Sequence, residues 1–208
     1  MIIKTYVLGP IENNTYLLMD EENGICALVD PAAPSQELLT DILERRLDLT
    51  HILITHAHFD HVGGVNWFRE KVASHPKVVL HRNDFPLWKQ GGGAKDFGFK
   101  FNPGSDPDLL IESDRNISIG KMQFKILHTP GHTPGHTTFY SRELSAAFCG
   151  DVIFYHGIGR TDLPVSNEMD LFESIENKIF KLPPKTVLYP GHGPQTTVQE
   201  EIKNNPFL

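Results

Sequence analysis

Three imidazoles and a carboxylate fall within six positions in His56-Ala57-His58-Phe59-Asp60-His61, directly behind the apolar run Ile52-Leu53-Ile54. Such a run of ligand-grade side chains needs a rigid element to present it, and the apolar run reads as a buried strand that ends where the histidines begin. Imidazole and carboxylate suit zinc, iron or manganese, and the absence of thiolates speaks against a closed structural site. Side chains alternate along an extended chain, so His56 and His58 point to one side. Asp60 and His61 lie where the chain bends toward a helix and face a second ion, and Gly63-Gly64 admits close backbone approach. The plainer reading is a solvated polar run capping a helix, and the density of ligands weighs against it.

One metal does not use all four groups comfortably, so partners are expected elsewhere. His132 sits in His128-Thr129-Pro130-Gly131-His132-Thr133-Pro134-Gly135-His136, Asp151 follows Phe148-Cys149-Gly150, and His192 lies in Tyr189-Pro190-Gly191-His192-Gly193. Each follows a strand-like run. Singly they mean little, because a lone Gly-Asp is usually a turn and a lone histidine a surface or core residue. Together they complete two sets: His56, His58 and His132 for one ion, and Asp60, His61 and His192 for the other. Asp151 is placed to bridge them.

Around these residues the chain reads as one domain over its 208 residues. Leu17 to Met19 and Ile25 to Val29 are expected strands, and Ser35 caps a helix carrying Leu39, Ile42, Leu43 and Leu47. A helix with Val65, Phe68 and Val72 and a strand at Val78 to Leu80 follow. The first half thus alternates strand and helix in an α/β arrangement. From Ile117 to Cys149 the pattern is all-β. A last helix spans about Asn167 to Phe180 with Met169, Phe172, Ile175 and Ile179 on one side, and a strand from Thr186 to Tyr189 leads into His192. Gln90 to Pro107, rich in Gly and Pro with Phe97, Phe99 and Phe101 between them, is either a loop over a site or a surface connector.

Composition narrows the function classes. A hydrophobic fraction of 39% supports a core without disulfides, and 19 Lys+Arg against 26 Asp+Glu give a net charge of −7, the wrong sign for a phosphate-backbone binder. No nucleic-acid partner is expected. Met1 to Tyr6 does not read as a signal peptide, no apolar run is long enough to span a bilayer, and Cys26 and Cys149 form no redox pair, so a cytoplasmic protein away from the membrane is expected.

The His-x-His-x-Asp-His run with His132, Asp151 and His192 at long intervals resembles the metallo-β-lactamase superfamily. The likeness extends from Asn14-Thr15-Tyr16 and Asp30-Pro31 to the final histidine. It implies a four-layer αββα sandwich, mixed α/β in class, with the site at one edge of paired sheets. Gly157-Ile158-Gly159-Arg160-Thr161-Asp162-Leu163-Pro164, Pro190 to Thr197 and the Asn205-Pro206-Phe207 ending resemble the small glyoxalase II-like (hydroxyacylglutathione) hydrolases, without the helical C-terminal domain of the longer enzymes.

That resemblance implies a binuclear thioesterase acting on S-lactoylglutathione or a related 2-hydroxyacyl thioester. Two divalent ions, zinc by expectation with iron or manganese as alternatives, would carry a metal-bridging hydroxide positioned by Asp60 and Asp151. Arg160 is the candidate for binding a substrate carboxylate, with a structural pair to Asp162 as the competing role. His156 is expected at the pocket, and His128 and His136 behind the ligands.

The main alternative is a persulfide dioxygenase, similar in the Gly-x-Gly-Arg-Thr-Asp stretch, with one iron on His56, His132 and Asp151. A phosphodiesterase, a β-lactamase and a non-catalytic metal-binding module rank below it.

Overall fold

The computed structural model describes residues 1–112 and 114–208. Its first sheet takes six strands in chain order: β1 (Ile2–Leu8), β2 (Asn13–Asp20), β3 (Ile25–Val29), β4 (Asp48–Leu53), β5 (Lys77–His81) and β6 (Leu109–Ile111). The β1–β2 and β2–β3 pairs are antiparallel, whereas β3 through β6 run parallel. The parallel connections contain helices, as a crossover requires: α1 (Gln36–Glu44), α2 (Phe59–Val62), α3 (Val65–Lys71) and α4 (Phe85–Lys89).

The second sheet is built from β7 (Arg115–Ile119), β8 (Met122–His128), β9 (Thr137–Ser141), β10 (Ala146–Gly150), β13 (Val187–Pro190) and β14 (Thr196–Thr197). A small hairpin, β11 (Ile153–Phe154) with β12 (Gly157–Ile158), follows β10. Helix α5 (Glu168–Ser174) continues into a π turn at Ile175–Ile179, and α6 (Val198–Asn204) closes the fold.

Period-two alternation assigns each strand's side chains to two cores. Leu17, Met19 and Leu28 face Leu38, Ile42, Phe68 and Trp88 in a cluster between the first sheet and its helices. The neighbouring positions Tyr16, Leu18, Ala27 and Val29 face Phe124, Ile126, Phe139 and Phe148 across the gap between the sheets. Ala147, Cys149 and Leu188 pack under Leu171, Ile175 and Val198 on the far side. The layers are therefore α, β, β, α. Ser35 caps α1 by accepting from the Leu38 N–H, as its position before the apolar repeat predicts.

The last long helix departs from expectation. Its buried side is Leu171, Ile175 and Ile179, while Met169 is 80% exposed. Asn167 caps the helix through the Asp170 N–H, and Leu171 takes the buried place in the first turns while Ile175 and Ile179 are buried as expected. A neighbour reinforces that register. Gly131, at φ +135°, lies so close to Leu171 that a Cβ there would collide with the helix backbone. That approach seats the loop carrying His132. Leu43, expected on the apolar side of α1, is also exposed, since Leu38, Leu39 and Ile42 already fill the core contact.

Candidate metal centre

Four strand ends converge on one edge of the sandwich. The segment after β4 delivers His56 and His58, and α2 delivers Asp60 and His61. The β8–β9 loop brings His132, the end of β10 brings Asp151, and the end of β13 brings His192. The ligand atoms of His56, His58 and His132 lie within 4.8 Å of one another. So do those of Asp60, His61 and His192, and those of His56, His61 and Asp151. All seven side chains singled out in the sequence thus meet, and Asp151 stands between both groups. Its Oδ1 is 3.4 Å from His61 Nε2, and its Oδ2 is 3.6 Å from His132 Nε2 and 3.7 Å from His192 Nε2.

The rings are aimed by hydrogen bonds on their far nitrogens, so that the near nitrogens are left free. His61 Nδ1 donates to Asp30 Oδ2 (2.9 Å), and His132 Nδ1 donates to the Arg160 carbonyl (2.9 Å). His56 Nδ1 contacts Thr55 Oγ1 at 3.1 Å. Asp30 also accepts from the Thr55 N–H and hydroxyl, which locks the end of β4 to β3. His136 contributes indirectly by accepting the Asp151 backbone N–H through Nε2.

Burial leaves particular atoms unsatisfied. His56 Nε2, His61 Nε2 and Asp151 Oδ1 have no hydrogen-bond partner and no solvent, a costly arrangement for groups of this polarity. His58 Nδ1 and His132 Nε2 face one another at 2.9 Å. A set of inward-facing lone pairs and carboxylate oxygens fits divalent cations, which would satisfy these atoms together.

The electrostatics agree. Burial drives His56 well below the ordinary imidazole value and His58 down to about 3, so both stay neutral and offer lone pairs. Burial also opposes a charge on His61, but Asp151, Asp60 and Asp30 outweigh it and push the ring well above its ordinary value. The three carboxylates around His61 thus form a pocket that favours positive charge. Burial alone would raise Asp151, yet His61, His132 and His192 hold it well below the usual carboxylate range.

Two acids that sequence reading passed over complete the support. Asp30 was quoted there only for the family likeness, yet it orients His61. Asp84 is fully buried and accepts from the Ala57 N–H (2.9 Å), the Thr133 hydroxyl (2.8 Å) and the Gly135 N–H (2.6 Å). It thereby ties the His56–His58 segment to the loop carrying His132, while burial pushes its carboxyl upward. Asp84 follows β5 in chain order, and its one signal was an acid at a strand end.

A cavity of about 610 Å³ opens above the seven side chains, lined by the Gly93–Phe97 stretch and by Arg160 to Val165. Of the Gln90 to Pro107 stretch, Gln90, Gly93 and Lys95 to Phe97 therefore form part of the site wall. The Phe59 N–H donates to the Gly92 carbonyl (3.0 Å), and Phe97 and Phe99 pack on Phe59 with ring centroids 5.6 and 5.8 Å away.

Arg160 lines the cavity, but its guanidinium makes two hydrogen bonds to Asp162. His156 does not line it. At φ +54° in the β11–β12 turn, it stacks on Tyr155 and pairs with Glu200 of α6 at 2.9 Å, outside the pocket. His128 reaches no ligand either: its ring stacks on His81, and Nε2 bonds the Pro134 carbonyl.

Among the described residues no helix is long and apolar enough to cross a membrane. The profile of the metallo-beta-lactamase superfamily matches residues 8–192. The chain is 37% identical to a probable metallo-hydrolase, YqgX, of Bacillus subtilis, over 97% of this chain and 94% of that one. It is 34% identical to the hydroxyacylglutathione hydrolase GloC of Haemophilus influenzae, covering 100% of this chain and 98% of the relative.

Among solved structures, the BLEG-1 B3 metallo-beta-lactamase superposes with a TM-score of 0.93 at 35% identity, covering 100% of this chain and 99% of the other. TTHA1623 in a di-iron-bound form gives 0.87 at 38% identity, with 99% and 100% covered. With the strand order, the two-sided histidine and aspartate centre and this match in agreement, the chain belongs to the metallo-β-lactamase superfamily.

Proposed function

We propose that this metallo-hydrolase of the metallo-β-lactamase superfamily cleaves thioesters, with S-lactoylglutathione or a related 2-hydroxyacyl thioester as substrate. The observation that carries the reading is the double donor set, in which Asp151 stands between His56, His58 and His132 on one side and Asp60, His61 and His192 on the other. In this reading those seven residues hold two divalent ions, zinc by preference. The di-iron form of TTHA1623 supports two metals and keeps iron among the choices. The hydroxyacylglutathione hydrolase relative supports the thioester.

Bound there, the ions would supply Lewis acidity and a water acidic enough to ionise near neutral pH. The chain's own contribution is positional. Asp60 and Asp151 present carboxylate oxygens that accept a hydrogen bond from the attacking water and fix its direction. Asp30, Thr55 and the Arg160 carbonyl keep the rings from turning. The water oxygen adds to the thioester carbonyl carbon and the C–S bond breaks. The products are a carboxylate and a thiol, with one proton passing to the sulfur and one to solvent. A thiol leaves readily, its pKa being about 8.5, so no strong acid has to protonate it.

A mononuclear oxygenase would use His56, His132 and Asp151 alone and would leave His61 and His192 without a task. A second hydrolytic reading, β-lactam cleavage, draws support from the likeness to BLEG-1. The test is metal analysis of the purified protein beside steady-state assays on S-lactoylglutathione, other thioesters, glutathione persulfide and a chromogenic cephalosporin. Two equivalents of metal and saturable thioester turnover are expected. Oxygen consumption on the persulfide with one iron per chain would overturn the proposal, and turnover of the cephalosporin alone would replace it with the second reading.

A further inference from the structure

The cavity above the metal centre contains two cationic side chains, Arg160 on one wall and Lys95 on the glycine-rich wall. They are not equivalent. The Arg160 guanidinium is occupied by both carboxylate oxygens of Asp162, at 2.8 and 2.9 Å. Among the described residues Lys95 takes part in none of the ion pairs that occupy the lysines at 4, 89, 121 and 178. An anion entering the cavity therefore meets one uncommitted cation, and it is not the residue to which the sequence points.

Away from the metal centre the rest of the wall is mostly apolar, with Gln90 and Asp96 as its polar members. Ile11, Phe59, Phe97, Phe154, Leu163 and Val165 face the same space. Phe97 is 49% exposed, so its ring keeps much of its surface for a visitor even though one side rests on Phe59. Desolvating a substrate arm against such a surface is favourable only where the arm is itself apolar. A thiol arm bearing a second carboxylate would set that charge beside Asp96 or against the apolar side chains, and unpaired charges in a half-enclosed apolar cavity are disfavoured.

We infer that Lys95 is the specificity-determining cation, and that the preferred thiol arm is apolar or aromatic with a single carboxylate at its far end. The inference rests on the thioesterase reading above, since it concerns which thiol is released. The small acyl group then lies at the metal centre, the arm runs along Phe97 and Phe59, and its carboxylate pairs with the Lys95 ammonium. Glutathione satisfies the carboxylate requirement but not the apolar one.

Three lactoyl thioesters separate these elements: that of 4-(mercaptomethyl)benzoate, that of the corresponding benzamide, and S-lactoylglutathione. In the wild-type enzyme kcat/KM is expected to favour the benzoate over both others. In Lys95→Ala the benzoate-to-benzamide ratio of kcat/KM is expected to fall about tenfold, the size of a lost charge-assisted hydrogen bond, chiefly through KM. Lys95→Arg should restore most of that ratio, and in Arg160→Ala the ratio should be retained. Far-UV circular dichroism and bound metal establish that each variant is folded and loaded, and Lys95→Gln provides a second neutral variant.

A ratio unmoved in Lys95→Ala and Lys95→Gln, or one that collapses in Arg160→Ala instead, overturns the inference and leaves the thioesterase reading standing. So does a wild-type preference for S-lactoylglutathione over the benzoate. Failure of the wild-type, metal-loaded enzyme to hydrolyse any of the three overturns both.

Discussion

The floor and the rim of the cavity are built on opposite principles. At the floor, His56 and His61 are 0% exposed and Asp151 only 7%, and nearly every polar atom not aimed at the centre is hydrogen-bonded. At the rim, Phe97 is 49% and Val165 44% exposed, Lys95 is solvent-facing, and the backbone turns through glycines at positive φ. Positional precision at the floor serves chemistry, because reacting groups must be held within a fraction of an ångström. The rim has a looser task, to offer surface and charge to whatever is attached to the reacting bond. In this family reading the floor settles the reaction and the rim the substrate.

The sharpest way to break that division is at the floor. Asp151→Ala or His58→Ala should abolish thioester turnover and lower the bound metal while far-UV circular dichroism stays largely native. Activity surviving both substitutions and metal stripping would mean the chemistry lies elsewhere. One layer back, Asp84→Ala should destabilise the protein by about 3 kcal/mol, because two buried N–H groups and a hydroxyl lose their acceptor. Denaturant melts measure it, and Asp84→Asn should recover part of the loss.

Asp30→Ala should weaken metal binding by about 10- to 100-fold, as expected when the carboxylate orienting a ligand imidazole is removed. Competition with a chelator reads the change. At the rim, Phe97→Ala should cost only about 1 kcal/mol of substrate binding, roughly a fivefold rise in KM with kcat nearly kept. If Phe97→Ala instead reduced kcat as much as a floor substitution does, the division between floor and rim would fail.

A further effect sits outside both regions. Burial, then the neighbouring His128, lowers His81 from 6.5 to about 4. Below pH 6.5 the unfolded chain takes up a proton that the folded chain refuses. The stability contributed by neutral His81 is therefore complete above pH 6.5, declines as the pH falls toward 4, and changes little below that. His81→Phe should flatten this part of the stability–pH curve, measured by urea unfolding at a series of pH values.

The same division explains what could be read from the amino-acid sequence. His56 to His61, His132, Asp151 and His192 were legible because each follows an apolar run, and an apolar run marks a strand whose end is fixed in space. The layers were legible for a related reason, since alternating residues such as Leu17 and Leu18 must face different cores. Asp30 and Asp84 escaped because a single acid after a strand looks like any turn residue until its donors are known, and those donors are 25 to 51 positions away. Met169 lies on the exposed side of its helix because Leu171 fills the contact with Gly131, an approach from a distant loop that helical spacing alone does not reveal. His156 sits near Asp151 in the chain, but a left-handed turn residue sends its ring to Glu200 instead. Lys95 belongs to a loop without periodicity, where only the shape of the wall gives a lysine meaning.

The two sheets share the donors unequally, and neither has enough. The segment from β1 to β6 carries His56, His58, Asp60 and His61, whereas the segment from β7 onward carries His132, Asp151 and His192. A cation held at this edge would therefore act as a rivet between two halves of the polypeptide, and its residence time would report how firmly the sheets are docked. Severed near the β6–β7 connection and mixed, the two fragments should capture metal together far more tightly than either does alone, which would turn reassembly of the sandwich into an event that a metallochromic dye can count.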